Sequence, residues 1–277
     1  MDVTADIADA RRWRAAAPEP VGLVPTMGAL HAGHLALVVA ARQRCATVIA
    51  SVFVNPMQFG PGEDFDSYPH DRPRDLDMLR KVGVDMVFAP DTAVFTPADR
   101  ATTVSVSGIT ERFEGASRPG HFDGVATVVT KLLNVAQPAV AFFGEKDYQQ
   151  LTMIRRMVAD LNLPVEIAGV PIVRDPDGLA LSSRNVYLSP DERQRALALS
   201  GALRRTAVAW TGDADAARAA LRSALDDAAS VVLDYADVVD EHTLAPLHGN
   251  GHHHGRALVA ARVGSTRLID NWNLEGP

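Results

Sequence analysis

Two imidazoles three residues apart, His31 and His34, stand where a glycine-bearing loop gives way to an apolar segment. The loop, Met27-Gly-Ala-Leu30, follows the apolar run Val21-Gly-Leu-Val-Pro-Thr26, and the later segment extends over 35–45. The order reads as strand, turn and helix. A helix N-terminus presents unpaired backbone N–H groups and the positive end of its dipole, a setting that suits a phosphate. Side chains three apart in a first turn share one face, so both rings can donate to the same oxygens. Gly33 lets a nucleotide approach the backbone. Taken alone, an HxxH pattern is a capping histidine with a chance neighbour. The strand-turn-helix context is what argues for an anion site.

Further loops carry polar groups at similar places. Asn55-Pro-Met-Gln58 follows a second apolar run, and its amides suit hydroxyls or a carboxylate. By itself it is an ordinary polar turn. Gly144-Glu-Lys146-Asp147-Tyr-Gln-Gln150 again lies between strand and helix patterns. Lys146 can reach a phosphate as a point charge. Asp147 reads as an N-cap that can also serve the site, and Gln150 lies one turn into the helix, facing the same crevice as Lys146. Leu181-Ser182-Ser183-Arg184-Asn185 sets hydroxyls and a guanidinium in a row, an anion clamp on a loop able to close over a nucleotide. For Arg118-Pro-Gly-His121 a phosphate lid and a solvated turn both stay open. His252-His253-His254 has the composition of a metal tract, but no carboxylate or cysteine is adjacent, and it reads as an exposed hairpin loop. The chain has no GxxxxGK[ST], no GxGxxG after a strand, no GxSxG and no HExxH.

These loops need a scaffold that brings strand ends together. Apolar runs at 21–26, 48–54 and 139–143 read as strands, the last two buried on both faces, and 84–89 reads as a further strand. Thr102-Thr-Val-Ser-Val-Ser107 reads as a short alternating strand, and 165–173 closes the series. Helix patterns fill 35–45, 71–81, 125–135 and 147–161. Alternating strands and helices predict a Rossmann-like, doubly wound parallel sheet in an α/β domain, with ligands past the carboxyl ends of its strands. After Val173 the pattern changes. Ser189-Pro190-Asp-Glu192 opens a helix running to about Trp210, an Ala-rich helix spans 213–229, and strands follow at 231–239, 256–263 and 266–271. We expect two domains, 1–173 binding nucleotide and substrate and 174–277 a smaller α+β domain whose junction loop can close as a lid.

The chain has 277 residues, near the size at which one core divides. Its net charge of −7 argues against a dedicated nucleic-acid binder. The one cysteine, Cys45, rules out an internal disulfide and a cysteine metal cluster, and reads as a buried structural thiol. No run reaches a membrane span, and the N-terminus lacks a signal-peptide pattern, so the expectation is a soluble cytoplasmic protein.

The HxGH strand-turn-helix with a downstream basic-hydroxyl loop resembles the nucleotidyltransferase superfamily. Four longer motifs narrow this: Pro25-Thr-Met-Gly-Ala-Leu-His31-Ala-Gly-His34, Phe53-Val-Asn-Pro-Met-Gln58-Phe, Phe143-Gly-Glu-Lys-Asp-Tyr-Gln-Gln150 and Gly178-Leu-Ala-Leu-Ser-Ser-Arg-Asn185. In their order and spacing they resemble the pantoate–β-alanine ligase family, as do Glu114-Gly-Ala-Ser-Arg-Pro-Gly-His121-Phe and Leu268-Ile-Asp-Asn271. The likeness spans nearly the whole chain. It implies an ATP-dependent condensation of pantoate with β-alanine through an acyl adenylate. It implies an ATP site formed by Pro25, Thr26, Met27, Gly28, Ala29, Leu30, His31, Ala32, Gly33, His34, Gly144, Glu145, Lys146, Asp147, Val173, Leu181, Ser182, Ser183 and Arg184. His34 is the implied catalytic proton donor, with His31 and Lys146 beside it, and Gln58 and Gln150 hold pantoate, Gln58 lying near β-alanine too. Mg²⁺ bridges phosphates, mostly through water, with Asp75 as its aid, and a homodimer is implied. Where the family has Tyr-Pro-Arg-Thr, this chain has Tyr68-Pro-His70-Asp71, which touches only the detail of the loop near Asp75. The rival readings are another nucleotidyltransferase, which attaches its nucleotide permanently, and a non-catalytic nucleotide-binding module.

Overall fold

The computed structural model describes residues 1–228 and 231–275. The chain divides into two compact units, one of residues 1–145 and 149–171, the other of residues 146–148 and 172–277. The division falls at 171/172, two residues before the expected boundary. It also assigns the short segment 146–148 to the second unit, which no boundary drawn along the sequence would do.

The first unit is a parallel sheet of β1 (Asp2–Thr4), β2 (Val21–Thr26), β3 (Thr47–Val52), β4 (Met86–Phe88), β5 (Val140–Gly144) and β6 (Glu166–Val170), in the order β1-β4-β3-β2-β5-β6. Central β2 pairs with β3 from Val21↔Thr47 to Thr26↔Val52 and with β5 at Gly22↔Val140 and Leu23↔Ala141. The chain leaves β2 toward β3 and β4 and returns on the other side at β5. That reversal makes the carboxyl ends of β2 and β5 the topological switch point where such sheets bind ligands. The helices are α1 (Ile7–Ala15), α2 (Ala32–Arg44), α3 (Arg72–Lys81), short α4 (Thr92–Phe95) and α5 (Glu114–Ser117), α6 (His121–Ala136) and α7 (Tyr148–Asp160). Val24, Leu30, Leu37, Val38, Val48, Ala50, Leu79 and Phe142 share one apolar cluster, as expected of strands covered by helices. Cys45 is buried and free.

One expectation is corrected, and one strand is added that the sequence pattern did not show. Residues 102–107 form no strand; the Val104 N–H donates instead to Thr127 Oγ1 of α6 (2.9 Å), so its backbone is satisfied by a side chain and not by a ladder. The N-terminal residues do pair: Asp2 to Thr4 add a parallel edge to β4, with Val3 opposite Val87.

The second unit holds α8 (Pro190–Val208), α9 (Ala214–Asp226) and an antiparallel sheet of β7 (Val231–Val239), β8 (His254–Val263) and β9 (Thr266–Glu275), in that order. A capping box between Ser189 and Glu192, with Pro190 at N1, starts α8 as its sequence predicts. Leu199, Leu203, Leu221, Leu225, Val238 and Val259 lie in its core. α9 ends at Asp226 with Asp227 as its C-cap, short of the expected end at Ala229, a residue that lies outside the described residues. Among the described residues no helix is long and apolar enough to cross a membrane.

Candidate active site

His31 ends the loop after β2 and caps α2. Its Nδ1 accepts the Gly33 N–H (3.1 Å), and His34 Nδ1 accepts the His31 N–H (3.3 Å). The ring centroids lie 4.1 Å apart. Each ring thus spends one nitrogen on a backbone donor that the helix start leaves unpaired. An Nδ1 that accepts carries no proton, so a neutral ring holds its proton on Nε2.

The loop before them is bent sharply: Gly28 has φ +83° and Ala29 φ +49°, the second a left-handed conformation unusual for a residue with a Cβ. Asp75 holds it there. Its Oδ2 accepts Ala29 N–H and its Oδ1 accepts Leu30 N–H, both at 2.9 Å, and it is 1% exposed. Arg74 adds a bond to the Leu30 carbonyl (3.3 Å). The first turn of α3 therefore shapes the entrance of α2. With both oxygens bonded to backbone and the side chain buried, Asp75 braces this loop. Thr26 contributes from within β2, donating to Ser51 O (2.7 Å) and accepting the Gly28 N–H (3.3 Å).

Gln58 closes a short 3-10 turn, Pro56–Gln58, after β3. The buried Asn55 caps that turn through Met57 N–H (3.2 Å) and donates to Gln58 Oε1 (3.0 Å) and Gly124 O (3.1 Å). Gln58 Nε2 lies 3.0 Å from Met27 Sδ, which brings the loops after β2 and β3 side by side. Gly124 lets α6 pack against this turn, because a Cβ there would lie 2.1 Å from Met57 O.

In the Arg118–His121 segment Pro119 and Gly120 are exposed, while the Arg118 and His121 side chains turn back onto the protein. Arg118 Nε and Nη2 bond the two carboxylate oxygens of Glu63 (2.8 and 2.6 Å), and Nη1 lies 3.1 Å from His121 Nε2. His121 Nδ1 donates to Gln58 O (2.8 Å), which also accepts from Arg118 (3.2 Å). The segment clamps the backbone of Gln58. Burial, then the Arg118 charge, lowers His121 to a pKa of about 4, consistent with a neutral ring. Burial pushes the Glu63 carboxyl up, but its bonds to Arg118 outweigh this and hold it below the ordinary range.

The adjacent glutamines of α7 have different tasks. Gln149 is buried; its Nε2 donates to Ile109 O and Arg112 O (2.7 and 2.8 Å) and its Oε1 accepts Glu114 N–H (3.0 Å). Gln150 is only partly buried, and nothing in the sequence separates the two.

In the second unit, Lys146 Nζ lies 3.3 Å from Asp147 Oδ1. Val173 and Leu181 meet across a turn centred on Gly178, Leu181 N–H donating to Val173 O (3.0 Å), so two expected nucleotide contacts become neighbours. Ser182 caps the 3-10 turn Ser183–Tyr187, its hydroxyl accepting Arg184 N–H (3.3 Å). Sequence reasoning assigned no positioning role to Asn55, His121 or Asn271. The signals were present as motif residues, but their partners lie far away in the chain. The histidine tract leads into β8, and His252 Nε2 lies 2.9 Å from His248 O.

Such a sheet places this chain among doubly wound α/β proteins that bind ligands past their strand ends. The chain belongs to the pantoate–beta-alanine ligase family, whose model matches residues 2–273. It is 54% identical over 261 residues to the pantothenate synthetase of Rhizorhabdus wittichii, covering 92% of this chain and 91% of that protein. The crystal structure of pantothenate synthetase from Thermus thermophilus superposes with a TM-score of 0.94 at 50% identity, covering all of both chains. That of pantoate-beta-alanine ligase from Francisella tularensis, complexed with beta-gamma ATP and beta-alanine, gives 0.81 at 32% identity and covers 98% of this chain and 97% of its own.

Proposed function

We propose that this chain condenses (R)-pantoate with β-alanine at the expense of ATP, releasing AMP and pyrophosphate. Family membership supports the reaction class. Within the chain, one observation supports the reading: backbone N–H groups engage Nδ1 of both His31 and His34 at the start of α2, so each ring, when neutral, carries its proton on Nε2. Two N–H donors then stand with the dipole at one helix entrance, the arrangement that stabilises growing phosphate charge.

A carboxylate resists an amine because oxide is a poor leaving group. In the proposed first step a pantoate carboxylate oxygen attacks the α-phosphorus. A new P–O bond forms as the bond to pyrophosphate breaks, giving pantoyl adenylate. Negative charge grows on the α-phosphate oxygens and on pyrophosphate, where His34 acts as proton donor with His31 beside it. Lys146, Ser182 and Arg184 serve the phosphates, and the rest of the nucleotide contacts fall to Met27 through Gly33, Gly144, Glu145, Asp147, Val173, Leu181 and Ser183. In the second step the β-alanine amine attacks the acyl carbon, and AMP leaves with one former carboxylate oxygen. Gln58 and Gln150 hold pantoate, with Gln58 also near β-alanine. Mg²⁺ would enter with ATP as part of the substrate and would offset phosphate charge. Among the described residues no group of three or more His, Cys, Asp or Glu is placed to hold a metal. By the same family likeness we infer a homodimer working in the cytoplasm.

The test omits β-alanine. With ATP, Mg²⁺ and pantoate alone, labelled pyrophosphate exchanges into ATP. Oxygen label in the pantoate carboxylate appears in AMP once β-alanine is added. A permanent nucleotidyltransferase would release no AMP bearing that oxygen, a binding module would show no exchange, and exchange that required β-alanine would exclude the adenylate.

A further inference from the structure

The Leu268-Ile-Asp-Asn271 motif has no place in the reaction as described. Asn271 sits in β9, opposite Leu258 of β8, and is 2% exposed. A buried amide must spend its donors and acceptor on protein partners. Asn271 Nδ2 donates to the backbone carbonyl of Lys146 (3.0 Å), 125 residues away in the chain, and Oδ1 accepts from Arg256 Nη1 (2.7 Å). The Arg256 guanidinium lies 3.5 Å from the centre of the Tyr148 ring, whose hydroxyl donates to Glu241 O (3.1 Å). Asp270, also buried, accepts the Asn271 N–H (2.7 Å) and a two-pronged pair from Arg174 (2.7 and 2.8 Å). Arg174 in turn donates to Asn271 O (3.2 Å) and stacks 4.7 Å from the Trp272 ring.

The segment carrying Lys146 is thereby held on both sides of Asp147, at the Lys146 carbonyl and at the Tyr148 ring. This accounts for residues 146–148 grouping with the second unit and not with the strand they follow. Lysine has a long side chain with much rotamer freedom, so a fixed backbone is what restricts where its ammonium can reach.

We propose that Asn271 is a positioning residue for Lys146, with Arg256 and Asp270 holding its amide in register. The functional half of the proposal rests on the reading above that Lys146 serves the phosphates; the anchoring half does not. Asn271→Asp tests both. It keeps the size and the Arg256 bond but turns an acceptor toward the Lys146 carbonyl, removing the donor that Asn271 gives it. Hydrogen exchange read by mass spectrometry reports the anchor: amides of 146–148 lose at least about tenfold protection while β8 and β9 keep theirs. Unchanged protection at 146–148 overturns the anchor whatever the activity does. For function, the rate of pyrophosphate exchange falls about 10- to 100-fold while the pantoate KM stays within about twofold. A rate and KM that merely follow the folded fraction would mark a purely structural residue and overturn positioning. In a Lys146→Met background the Asn271→Asp loss disappears; a loss that adds in full shows that Asn271 does not act through Lys146. If Lys146→Met alone leaves exchange unchanged, the phosphate role of Lys146 falls, and the protection result still decides the anchor. Asn271→Ser, which removes the donor without adding charge, gives the same readouts if Asn271→Asp does not fold.

Discussion

Replacing Asp75 by Asn keeps the shape of the side chain and removes one acceptor and the charge. Asp75 accepts two backbone N–H groups, from Ala29 and Leu30, both at 2.9 Å, the second of them buried, and its own side chain is 1% exposed. Bonds to a charged acceptor contribute about 1.5–3 kcal/mol each. The amide retains one neutral bond, about 1 kcal/mol, and turns its own N–H toward the other donor, so the net loss is about 3 kcal/mol. Ala29 sits at φ +49°, a conformation that itself costs about 1 kcal/mol or more and persists only while something holds it. The loop is therefore expected to relax, and His31 and His34 lose their placement because their cap begins where the loop ends. Asp75→Asn should lower the rate of pyrophosphate exchange by about 10- to 100-fold at saturating Mg²⁺, since about 1.4 kcal/mol is tenfold. The melting temperature should fall by about 6–12 °C, at about 2–4 °C per kcal/mol for a unit of this size. Scanning calorimetry and exchange at several Mg²⁺ concentrations check this together. An Asp75→Asn variant that melts like the parent and is restored by excess Mg²⁺ would refute the brace and return Asp75 to the metal.

Three further outcomes follow from the same geometry. His34→Ala should cut exchange by about 10²- to 10³-fold, the loss typical of one donor to transition-state charge, with circular dichroism unchanged; near-normal turnover removes His34 from the chemistry. Gly124→Ala should raise the pantoate KM and lower stability, because the new Cβ would lie 2.1 Å from the Met57 carbonyl and displace the Gln58 turn; an unaltered KM would mean the turn does not position substrate. His121 has its folded pKa lowered from 6.5 to about 4, so between those values the unfolded chain binds a proton that the folded chain does not. Its stabilising contribution is complete above about pH 6.5 and is lost as pH falls toward 4, at most about 3 kcal/mol at 1.36 kcal/mol per unit. His121→Gln should flatten that limb of the melting-temperature profile, and identical profiles would show that the ring titrates normally.

Much of the scaffold was legible because its signals are local. The apolar runs that became β2, β3 and β5 are continuous, and strands buried on both faces need no partner to be recognised by composition. The Ser189–Glu192 capping box lies within four consecutive residues and sets the start of α8. Errors arose where a local pattern was outweighed by distant pairing. The alternation at 102–107 reads as a strand, but Thr127 of α6 takes the Val104 N–H that a ladder needs. Asp2–Thr4 is too short to show a period, and becomes a strand only because β4 offers it an edge.

The candidate site divides in the same way. The sequence by itself determined that His31 and His34 share a helix entrance, that Asn55 and Gln58 share a turn, and that Lys146 follows a buried strand, since each depends only on neighbours in the chain. Tertiary structure alone decided which groups hold them. Asp75 reaches the 29–30 loop across 45 residues, His121 reaches Gln58 across 63, and Asn271 reaches Lys146 across 125. It also decided that Gln149 is spent on the backbone while its neighbour Gln150 is only partly buried. A side chain's type states what it can bond, and its sequence neighbours state which element carries it. Which donor it meets depends on how those elements pack, and only the folded chain specifies that.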